Sequence, residues 1–424
     1  MARILLTTWA SPGTLRPYIR IARRLADLGH EAIVASGLGA RRTVEAHGVA
    51  FHPMRPDLDP DNAGLMRRVL DPRRGSEVLV EELIAPAVRD AFEDLLPIAR
   101  DADVIVSHPL TFAAPLAAAF LEKRWLSTVL TPASFLSIHD FPVPPQAPAL
   151  GNALVLGPAA GWLMRTVARG LSAPWMGPVR ALRADLGLAD AGAPLFEGQF
   201  SPYGTLALFS RVLADPQPDW PPRTTIAGFA FDAASEALPA PLASFLDAGE
   251  APLVFAFDRS AARTADLQRA AVDAAARLGR RAVLLGSRPR AIRAANPIPP
   301  DVLALDDAPL DLLMPRAAAV VHAGGIGILA EALRAGRPMV IVPSAHDQPD
   351  NARRAGRLGV ARVVPPAQAS GEELAAELEL LQDDPEYARA ATEVAQLVGG
   401  EDGVGVACQR VLELAAGGII AAGA

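Results

Sequence analysis

The chain has 424 residues, a formal net charge of −7, 51% hydrophobic residues and 21% charged residues. This composition excludes a mainly disordered or coiled-coil protein, and the length indicates about two or three domains. The acidic balance and the 5% aromatic content argue against a nucleic-acid-binding protein with a broad basic surface. The single cysteine, Cys408, excludes an internal disulfide and a cysteine-based metal site, and Lys123, the only lysine, leaves a P-loop without its lysine.

The amino terminus predicts a strand and not a targeting segment, because residues 3–8 form a short apolar run directly after Met1. The longest apolar stretch, 149–164, contains Asn152 and four Gly or Pro residues and is shorter than a membrane-spanning helix of ~20 residues. We interpret it as a buried helix or the wall of an apolar pocket, with contact to a membrane surface as the alternative. No integral membrane segment is expected, and the predicted location is cytoplasmic.

The first half of the chain alternates predicted strands and helices. Apolar residues at helical spacing, followed by Gly29, predict the first helix and its end. This alternation predicts a parallel, doubly wound sheet. Strands are predicted at 3–8, 31–36, 104–107 and 125–130, and helices at 15–28, 76–100 and 113–121.

A segment rich in Pro, Asp and Ala then interrupts the pattern at 214–241, which predicts an interdomain linker. We therefore divide the chain into an N-terminal domain (1–213), this linker, a C-terminal domain (242–400) and a terminal helix and tail (401–424). Ligands of such sheets lie beyond the carboxyl ends of the strands, near helix N-termini. After the linker, strands are predicted at 253–257, 282–285, 318–322 and 339–342, and helices at 264–278 and, after a glycine-rich turn, up to 335.

A glycine-rich turn comes after the predicted strand 318–322. Gly324, Gly325 and Gly327 would let a phosphate approach the backbone N–H groups at a helix start, where the helix dipole favours negative charge. A simple tight turn is the alternative. The turn is not a Walker A motif, because it has no lysine, and the usual dinucleotide fingerprint belongs to the first strand of such a domain.

Polar residues come after the predicted strand 339–342. Asp347, Gln348 and Asn351 place a carboxylate and two amides where they can hydrogen-bond a polyhydroxylated ligand. The alternative is that Asp347 or Asp350 only caps the next helix.

Taken together, these motifs resemble glycosyltransferase family 1, the nucleotide-sugar-dependent enzymes of GT-B fold. The resemblance is greatest to bacterial members acting on lipids, sterols and secondary metabolites, including the rhamnolipid rhamnosyltransferase. The family's donor box resembles 322–351, its linker signature resembles 216–221 with Gly228-Phe229, and its opening turn resembles 8–17. The resemblance covers almost the whole chain and implies an α/β fold of two Rossmann-like domains. It also implies inverting, metal-independent transfer of a sugar from a nucleotide-diphosphate donor to a small apolar acceptor, with no resident cofactor.

The resemblance implies a set of donor-binding residues in the C-terminal domain. Glu331 matches the position that binds ribose hydroxyls, and Asp347 and Gln348 match positions that hold sugar hydroxyls. The other implied donor positions are His322, Ala323, Gly324, Gly325, Gly327, Ile328, Asp258, Arg259 and Ser260.

Several of these positions depart from the family. Ala323 stands where relatives carry a His for the diphosphate, and Ile328 stands where they carry Ser or Thr. Each lost contact would cost about 1.5–3 kcal/mol if it is charge-assisted. Asp258 would repel a diphosphate unless Arg259 compensates its charge. The side chain of His322 is expected to point to the opposite side of the strand end.

The catalytic positions are also altered. Thr14 stands where the family's general base is found, and a threonine hydroxyl near neutral pH can only position or relay a proton. It could instead cap the first helix. His108 stands where some relatives carry a supporting Asp, so it is a candidate replacement base, with a packed loop histidine as the alternative. The acceptor pocket candidates are Phe112, Trp125, Phe135, Phe141 and Trp162.

These departures leave two rival functions open. The protein could run a different reaction in the same cleft, with His108 or Asp258 as acid–base groups, or it could be a non-catalytic auxiliary partner of another enzyme. A homodimer or a partner enzyme is left open, and the sequence does not name the acceptor, the sugar or the nucleotide base.

Overall fold

The computed structural model describes residues 1–58, 62–147, 157–231, 235–257, 264–286 and 298–418. The strands are β1 Arg3–Thr7, β2 Glu31–Ser36, β3 Ala50–Pro53, β4 Val104–Ser107, β5 Arg124–Val129, β6 Thr205–Ala207, β7 Thr224–Ile226, β8 Leu253–Ala256, β9 Ala282–Leu285, β10 Val302–Ala304, β11 Ala319–His322, β12 Met339–Ile341 and β13 Ala361–Val363. The helices are α1 Pro12–Asp27, α2 Arg41–Ala46, α3 Ala63–Val69, α4 Gly75–Glu77, α5 Val88–Asp101, α6 Ala113–Phe120, α7 Pro158–Ser172, α8 Gly177–Asp185, α9 Ala240–Asp247, α10 Thr264–Arg277, α11 Leu310–Leu313, α12 Ile326–Arg334, α13 Gln348–Arg357, α14 Gly371–Asp383, α15 Pro385–Gly399 and α16 Gly403–Ala415.

The described strands form two parallel sheets, ordered β3-β2-β1-β4-β5-β6-β7 and β10-β9-β8-β11-β12-β13. The central strands β4, β9 and β11 are buried along their whole length, as expected for parallel strands covered by helices on both faces. In each sheet the strand order reverses beside the first strand, between β1 and β4 and between β8 and β11. The predicted α/β fold of two doubly wound domains is confirmed.

Two segments outside the predicted N-terminal domain complete it. Strand β7, which lies inside the predicted linker 214–241, pairs with β6 at the edge of the first sheet. Helix α16, inside the predicted terminal segment 401–424, buries Cys408 and Val411 in the same hydrophobic cluster as Leu25 of α1. The chain therefore crosses back to its first domain at the end.

The helix predicted over 76–100 is broken. The structure has α4, then a π-helix at Val78–Ile84, then α5 from Val88. The break lies at Pro86, which has no backbone N–H to donate and whose ring clashes with the preceding turn. Segments of π-helix occur frequently at functional sites, and Ile84 at the end of this one lines an apolar pocket.

The apolar stretch 149–164 differs from its interpretation where the structure describes it. From Pro158 onward it belongs to α7, on which Trp162 is 60% exposed and Leu163 is 57% exposed. Gly161 is buried because it packs against the backbone of Ile138, where a Cβ would lie only 2.0 Å from the carbonyl oxygen. This close approach leaves the larger side chains of the helix facing outward, so the described part is neither a buried helix nor a pocket wall.

Candidate donor and acceptor site

The N-termini of α1 and α12 meet where the two domains face each other. The Cα of Gly13 in α1 lies 3.8 Å from the position that a Cβ on Gly327 would occupy. Further along α1, Arg16 lies 3.5 Å from Asp307 of the second domain. The N–H groups at the start of α12 and the positive dipole ends of both helices therefore converge on one place, which favours an anion. The start of α1 adds few donors, because Pro12 has no N–H and the N–H groups of Thr14 and Leu15 bond the Ser11 carbonyl.

The turn before α12 is shaped by its glycines. Gly324 has φ +87°, and a Cβ there would lie 3.0 Å from Ile341 Cγ2 and 3.1 Å from the Gln348 carbonyl oxygen. Only glycine fits this conformation without strain. Gly325 is different, because a Cβ on it would meet nothing within 4 Å among the described atoms. The backbone at Gly325 is thus open to a ligand.

His322 holds this turn from inside the protein. Its side chain is fully buried, its Nδ1 accepts a hydrogen bond from the Gly324 N–H at 3.0 Å, and its Nε2 lies 3.4 Å from Met339 Sδ. Burial lowers the pKa of His322 to about 3, so the ring is neutral. The prediction that it points away from the donor agrees with this geometry, and its inclusion in the donor-binding set is corrected to a role in shaping the turn.

The first turn of α13 packs against the glycine turn. Asn351 Nδ2 donates to the Gly324 carbonyl at 3.0 Å and to Asp347 Oδ2 at 2.8 Å. Gln348 Oε1 accepts from the N–H groups of Ser344 and Ala345, at 2.8 and 3.1 Å. Burial raises the pKa of Asp347 to about 6. Asp347 and Gln348 thus stand beside the turn, as the donor-site prediction requires.

The capping alternative for the acidic residues is corrected. Asp347 stands at the N-cap position of α13, but its carboxylate makes no capping hydrogen bond and bonds Asn351 instead. Asp350 lies inside the helix and bonds Arg353 and Arg354. The carboxylates are drawn to amide and guanidinium donors, so the helix start is left without a side-chain cap.

Glu331 lies one turn beyond Gly327 on α12. It accepts a hydrogen bond from Arg334 Nη2 at 2.5 Å, and the Arg334 guanidinium lies 4.2 Å from the centroid of the Phe231 ring. Burial raises the pKa of Glu331, and the nearby positive charges of Arg334 and Arg20 oppose that shift. This pairing fixes the position of the carboxylate.

Two positions that the family resemblance implies as phosphate contacts have no side chain that can donate a hydrogen bond. Ala323 has no polar side chain, and Ile328 packs against the hydrophobic cluster that contains Leu329 and Leu333. The predictions for Asp258, Arg259 and Ser260 lie outside the described residues.

On the N-terminal side, Thr14 is the third residue of α1. Ser11 holds the N-cap position, so the alternative that Thr14 caps the helix is corrected. The Thr14 hydroxyl donates to the Trp9 carbonyl at 2.9 Å and lies 2.8 Å from Ser11 Oγ, from which it can accept. The two hydroxyls form a short hydrogen-bonded pair at the helix start, close to Gly13.

The geometry of His108 disfavours the role of general base. It is 6% exposed, and its Nδ1 accepts a hydrogen bond from the Leu110 N–H at 3.0 Å. Its ring packs 6.1 Å from that of Tyr18. Burial lowers the pKa of His108 to about 3. With Nδ1 occupied as an acceptor, the neutral ring carries its proton on Nε2 and has no free lone pair for a further proton.

An apolar pocket lies at the carboxyl ends of β1 and β4. It contains the predicted residue Phe112, together with Trp9, which lies two residues beyond the end of β1 and was not predicted. An aromatic side chain just beyond a central strand is the signal that could have identified it. The remaining lining residues are Met54, Ile84, Val88, Ala91, Leu110, Thr111 and Ala113, with Ile84 coming from the π-helix.

Other predicted acceptor residues lie elsewhere. Phe135 is buried in the hydrophobic cluster that crosses between the domains, where it stacks on Trp220 with 4.0 Å between centroids. Trp125 belongs to the core cluster around Phe112 and does not line the pocket. Trp162 is exposed on α7. The fact that a residue is aromatic does not say which face of a helix or strand its side chain occupies. The prediction that these three residues line the acceptor pocket is therefore corrected. Phe141 is buried in the loop after β5, and no described contact tests its role.

Known proteins resemble the chain along its whole length. The O-mycaminosyltylonolide 6-deoxyallosyltransferase of Streptomyces fradiae is 30% identical over 439 residues, which cover 97% of each chain. The chain belongs to glycosyltransferase family 1. The family model "Erythromycin biosynthesis protein CIII-like, C-terminal domain" matches residues 271–402 of this family member.

Two further likenesses cover nearly the same length of the family-1 chain. A sterol 3-beta-glucosyltransferase of Arabidopsis thaliana is 27% identical over 95% of this chain and 64% of its own length. The structure of the glycosyltransferase SnogD of Streptomyces nogalater has the same fold, with a TM-score of 0.66, 22% identity, and coverage of 98% of this chain and 99% of that one. The predicted family is thereby confirmed.

Two features are absent from the described part of this family-1 chain. No helix there combines the length and apolar character that a bilayer span needs. No group of three or more His, Cys, Asp or Glu side chains in the same residues is arranged to hold a metal ion.

Proposed function

We propose that this protein is a cytoplasmic glycosyltransferase that moves a sugar from a nucleotide-diphosphate donor to a small apolar acceptor, a lipid or secondary metabolite, with inversion and without a metal. The observation that carries the proposal is the open glycine turn at the start of α12, which faces the start of α1 across the cleft. Relatives named as a deoxyallosyltransferase and a sterol glucosyltransferase support both the reaction and the acceptor class.

The donor diphosphate would bind the backbone N–H groups of the turn. Gly325 leaves room for the phosphates, and the dipoles of α1 and α12 stabilise the negative charge that grows on the leaving group. We call the backbone N–H groups of this glycine turn the phosphate cradle. Because Ala323 and Ile328 offer no side-chain donors, the cradle relies on backbone groups. Such a cradle suits a chain of net charge −7, which has few cations to spare for an anionic ligand.

The sugar and the ribose would meet the polar residues around the turn. Asp347 and Gln348 stand at the start of α13 beside Gly324 and can hydrogen-bond the hydroxyls of the sugar. Glu331, held by Arg334, is offered to the ribose hydroxyls from the second turn of α12. With its pKa at about 6, Asp347 is mostly ionised at neutral pH and accepts hydrogen bonds.

The acceptor would enter from the N-terminal side. An apolar acceptor would lie against the wall that Trp9 and Phe112 form, and the hydroxyl to be glycosylated would lie near the hydroxyl pair of Thr14 and Ser11. Its oxygen attacks the anomeric carbon as the bond to the diphosphate breaks, the electron pair of that bond leaves on the diphosphate, and the hydroxyl proton is released to solvent water. Thr14 orients that hydroxyl by a hydrogen bond and does not remove its proton, because a threonine hydroxyl is not ionised near neutral pH.

Nucleotide binding tests the proposal directly. The protein is titrated with UDP, TDP and their sugars while its thermal unfolding is followed. A ligand at 100 times its dissociation constant should stabilise the folded state by ~2.7 kcal/mol. UMP and TMP, which lack the second phosphate, are the matched controls and should stabilise it less. Absence of a shift with every diphosphate and nucleotide sugar would contradict the proposal.

A further inference from the structure

A charged cluster joins the loop after β5 to helix α13 of the other domain. We name residues 136–147 the Phe141 loop. Its Asp140 accepts hydrogen bonds from Arg354 and, at 3.2 Å, from Arg353. Asp350 Oδ1 accepts from the backbone N–H of Val143 at 3.2 Å. Both a side chain and a backbone group of the loop are therefore held by one turn of α13.

The centre of this cluster is buried from water, and its edge at Asp140 and Arg353 is partly accessible. Asp350 and Arg354 are 0% and 2% exposed, and they bond each other at 2.7 Å. Burial alone would raise the pKa of Asp140, but the Arg354 and Arg353 guanidinium groups lower it below its usual value, so it stays ionised. Buried ion pairs add little net stability compared with apolar residues of similar size. In this structure they hold the loop and α13 together at the two carboxylates.

The same helix holds the glycine turn on its other side. Asn351 bonds the carbonyl of Gly324 at 3.0 Å, and it neighbours Asp350 in the chain. A displacement of the Gly324 turn would therefore move Asn351, and with it the charged residues that hold Asp140.

The Phe141 loop is anchored differently at its start. The Ser137 hydroxyl and the Ile138 N–H both bond the carboxylate of Asp219, at 2.6 and 2.8 Å. That carboxylate makes its other described ion pair with Arg165 of α7 and none with α13. Only the second part of the loop, which carries the buried Phe141 and Val143, thus depends on the C-terminal domain.

We propose that Asp140, Asp350 and Arg354 are positioning residues, which place the second half of the Phe141 loop according to whether the donor turn is occupied. The inference rests on the proposed nucleotide binding at Gly324–Gly327. Its consequence is that the second half of the loop is held more firmly when the donor is bound, because the loop and the donor turn both bond to α13.

Hydrogen exchange on the full chain, with and without TDP or UDP, tests this coupling. The Val143 N–H bonds Asp350 and reports on the second half of the loop, while the Ile138 N–H bonds Asp219 and serves as an internal reference. In the wild type, nucleotide should slow exchange by roughly tenfold in peptides covering 322–328 and in the peptide 141–147. Exchange in the peptide 136–139 should be unchanged.

The informative variant is Asp140→Asn, which removes one charge at a partly accessible position. It should keep the nucleotide protection at 322–328 and lose that at 141–147, while Asp140→Glu should restore most of it. Glu377→Gln is the matched control, since Glu377 pairs with Arg362 inside the C-terminal domain. That variant should keep both protections.

The outcomes separate this inference from the function on which it rests. Protection at 141–147 that persists in Asp140→Asn would overturn the inference, as would a wild type in which only 322–328 responds. A wild type in which neither nucleotide protects 322–328 would overturn the proposed function and the inference together.

Discussion

The two halves of the molecule carry a histidine at the same place but continue from it into different turns. His108 stands directly after β4 and His322 ends β11, and each of these strands lies beside the first strand of its sheet. In both, Nδ1 accepts the N–H of the residue two positions later at 3.0 Å, from Leu110 and from Gly324. Both rings are buried and neutral.

The difference between the halves lies in the turns themselves. Behind His322 two glycines expose the backbone at a helix start, whereas behind His108 the chain continues through Pro109 to Phe112 and the apolar pocket. In each half the histidine therefore holds a turn in place, and the residues that follow it determine which kind of ligand can bind there. One half offers backbone donors to an anion, and the other offers an apolar wall.

The largest expected effect comes from Gly324→Ala. The new Cβ would be forced into a left-handed conformation and against Ile341 and Gln348, so we expect a loss of roughly 2–5 kcal/mol in the free energy of unfolding. The stabilisation by TDP or UDP should also disappear. Urea unfolding, with and without nucleotide, measures both effects.

Gly325→Ala is the matched control, because its Cβ would meet open space. It should change the free energy of unfolding little and weaken only nucleotide binding. If both variants bound nucleotide like the wild type, the backbone cradle would not be the donor site.

The second-largest effect is expected from a variant that restores a side-chain donor to the phosphate cradle. Ala323→His should tighten diphosphate binding by about 1.5–3 kcal/mol, or roughly 10- to 150-fold, because a hydrogen bond to a charged group is added. Calorimetric titration with TDP and UDP measures the change. Ala323→Phe adds similar bulk without an N–H and should not tighten binding. Equal affinities for the three proteins would show that position 323 does not face the phosphates.

The buried histidines should make the protein sensitive to acid. Between about pH 6.5 and pH 3 the unfolded chain takes up a proton at His108 that the folded chain refuses, so stability falls as pH decreases. The slope per histidine is up to ~1.4 kcal/mol per pH unit. Asp347 acts oppositely, since its raised pKa of about 6 makes the folded form bind a proton first.

Asparagine variants isolate the histidine contribution. The amide oxygen of asparagine can replace Nδ1 as the acceptor, so His108→Asn and His322→Asn should fold and each show a shallower loss of stability between pH 6 and pH 4. A slope that is the same in both variants and the wild type would contradict the buried neutral assignment. Chemical denaturation at several pH values measures it.

Sequence patterns predicted the centre of each sheet well and its periphery poorly. The strands at 31–36, 104–107 and 282–285 were predicted to the residue because buried parallel strands are continuous apolar runs. The short edge strands β3, β10 and β13 lack that signal and were not predicted. Pro86 is a helix-breaking residue that the sequence shows, but the helical spacing of the apolar residues around it led to the prediction of one continuous helix.

Around the candidate site, the sequence predicted the local backbone and did not predict which side chains are buried or exposed. The turn at Gly324 and the place of Asp347 beyond β12 could be predicted because glycine conformation and polar residues past a strand are local properties. The burial of Phe135 between the domains and the exposure of Trp162 depend on tertiary packing, which residue type does not encode.

The smallest expected effect tests whether Thr14 does chemistry. Thr14→Ala removes the hydrogen bond to the Trp9 carbonyl and should cost about 0.5–1.5 kcal/mol of unfolding free energy. If the hydroxyl orients the acceptor and is not its base, as proposed, release of TDP or UDP from nucleotide sugars with sterol or macrolide acceptors should fall only severalfold. Loss of a general base would instead cost roughly 100-fold or more. Ser11→Ala is the control, since it leaves the Thr14 bond to Trp9 in place. A 100-fold loss confined to Thr14→Ala would make this turn a proton-transfer site, and the N-terminal half would then offer more than an apolar wall.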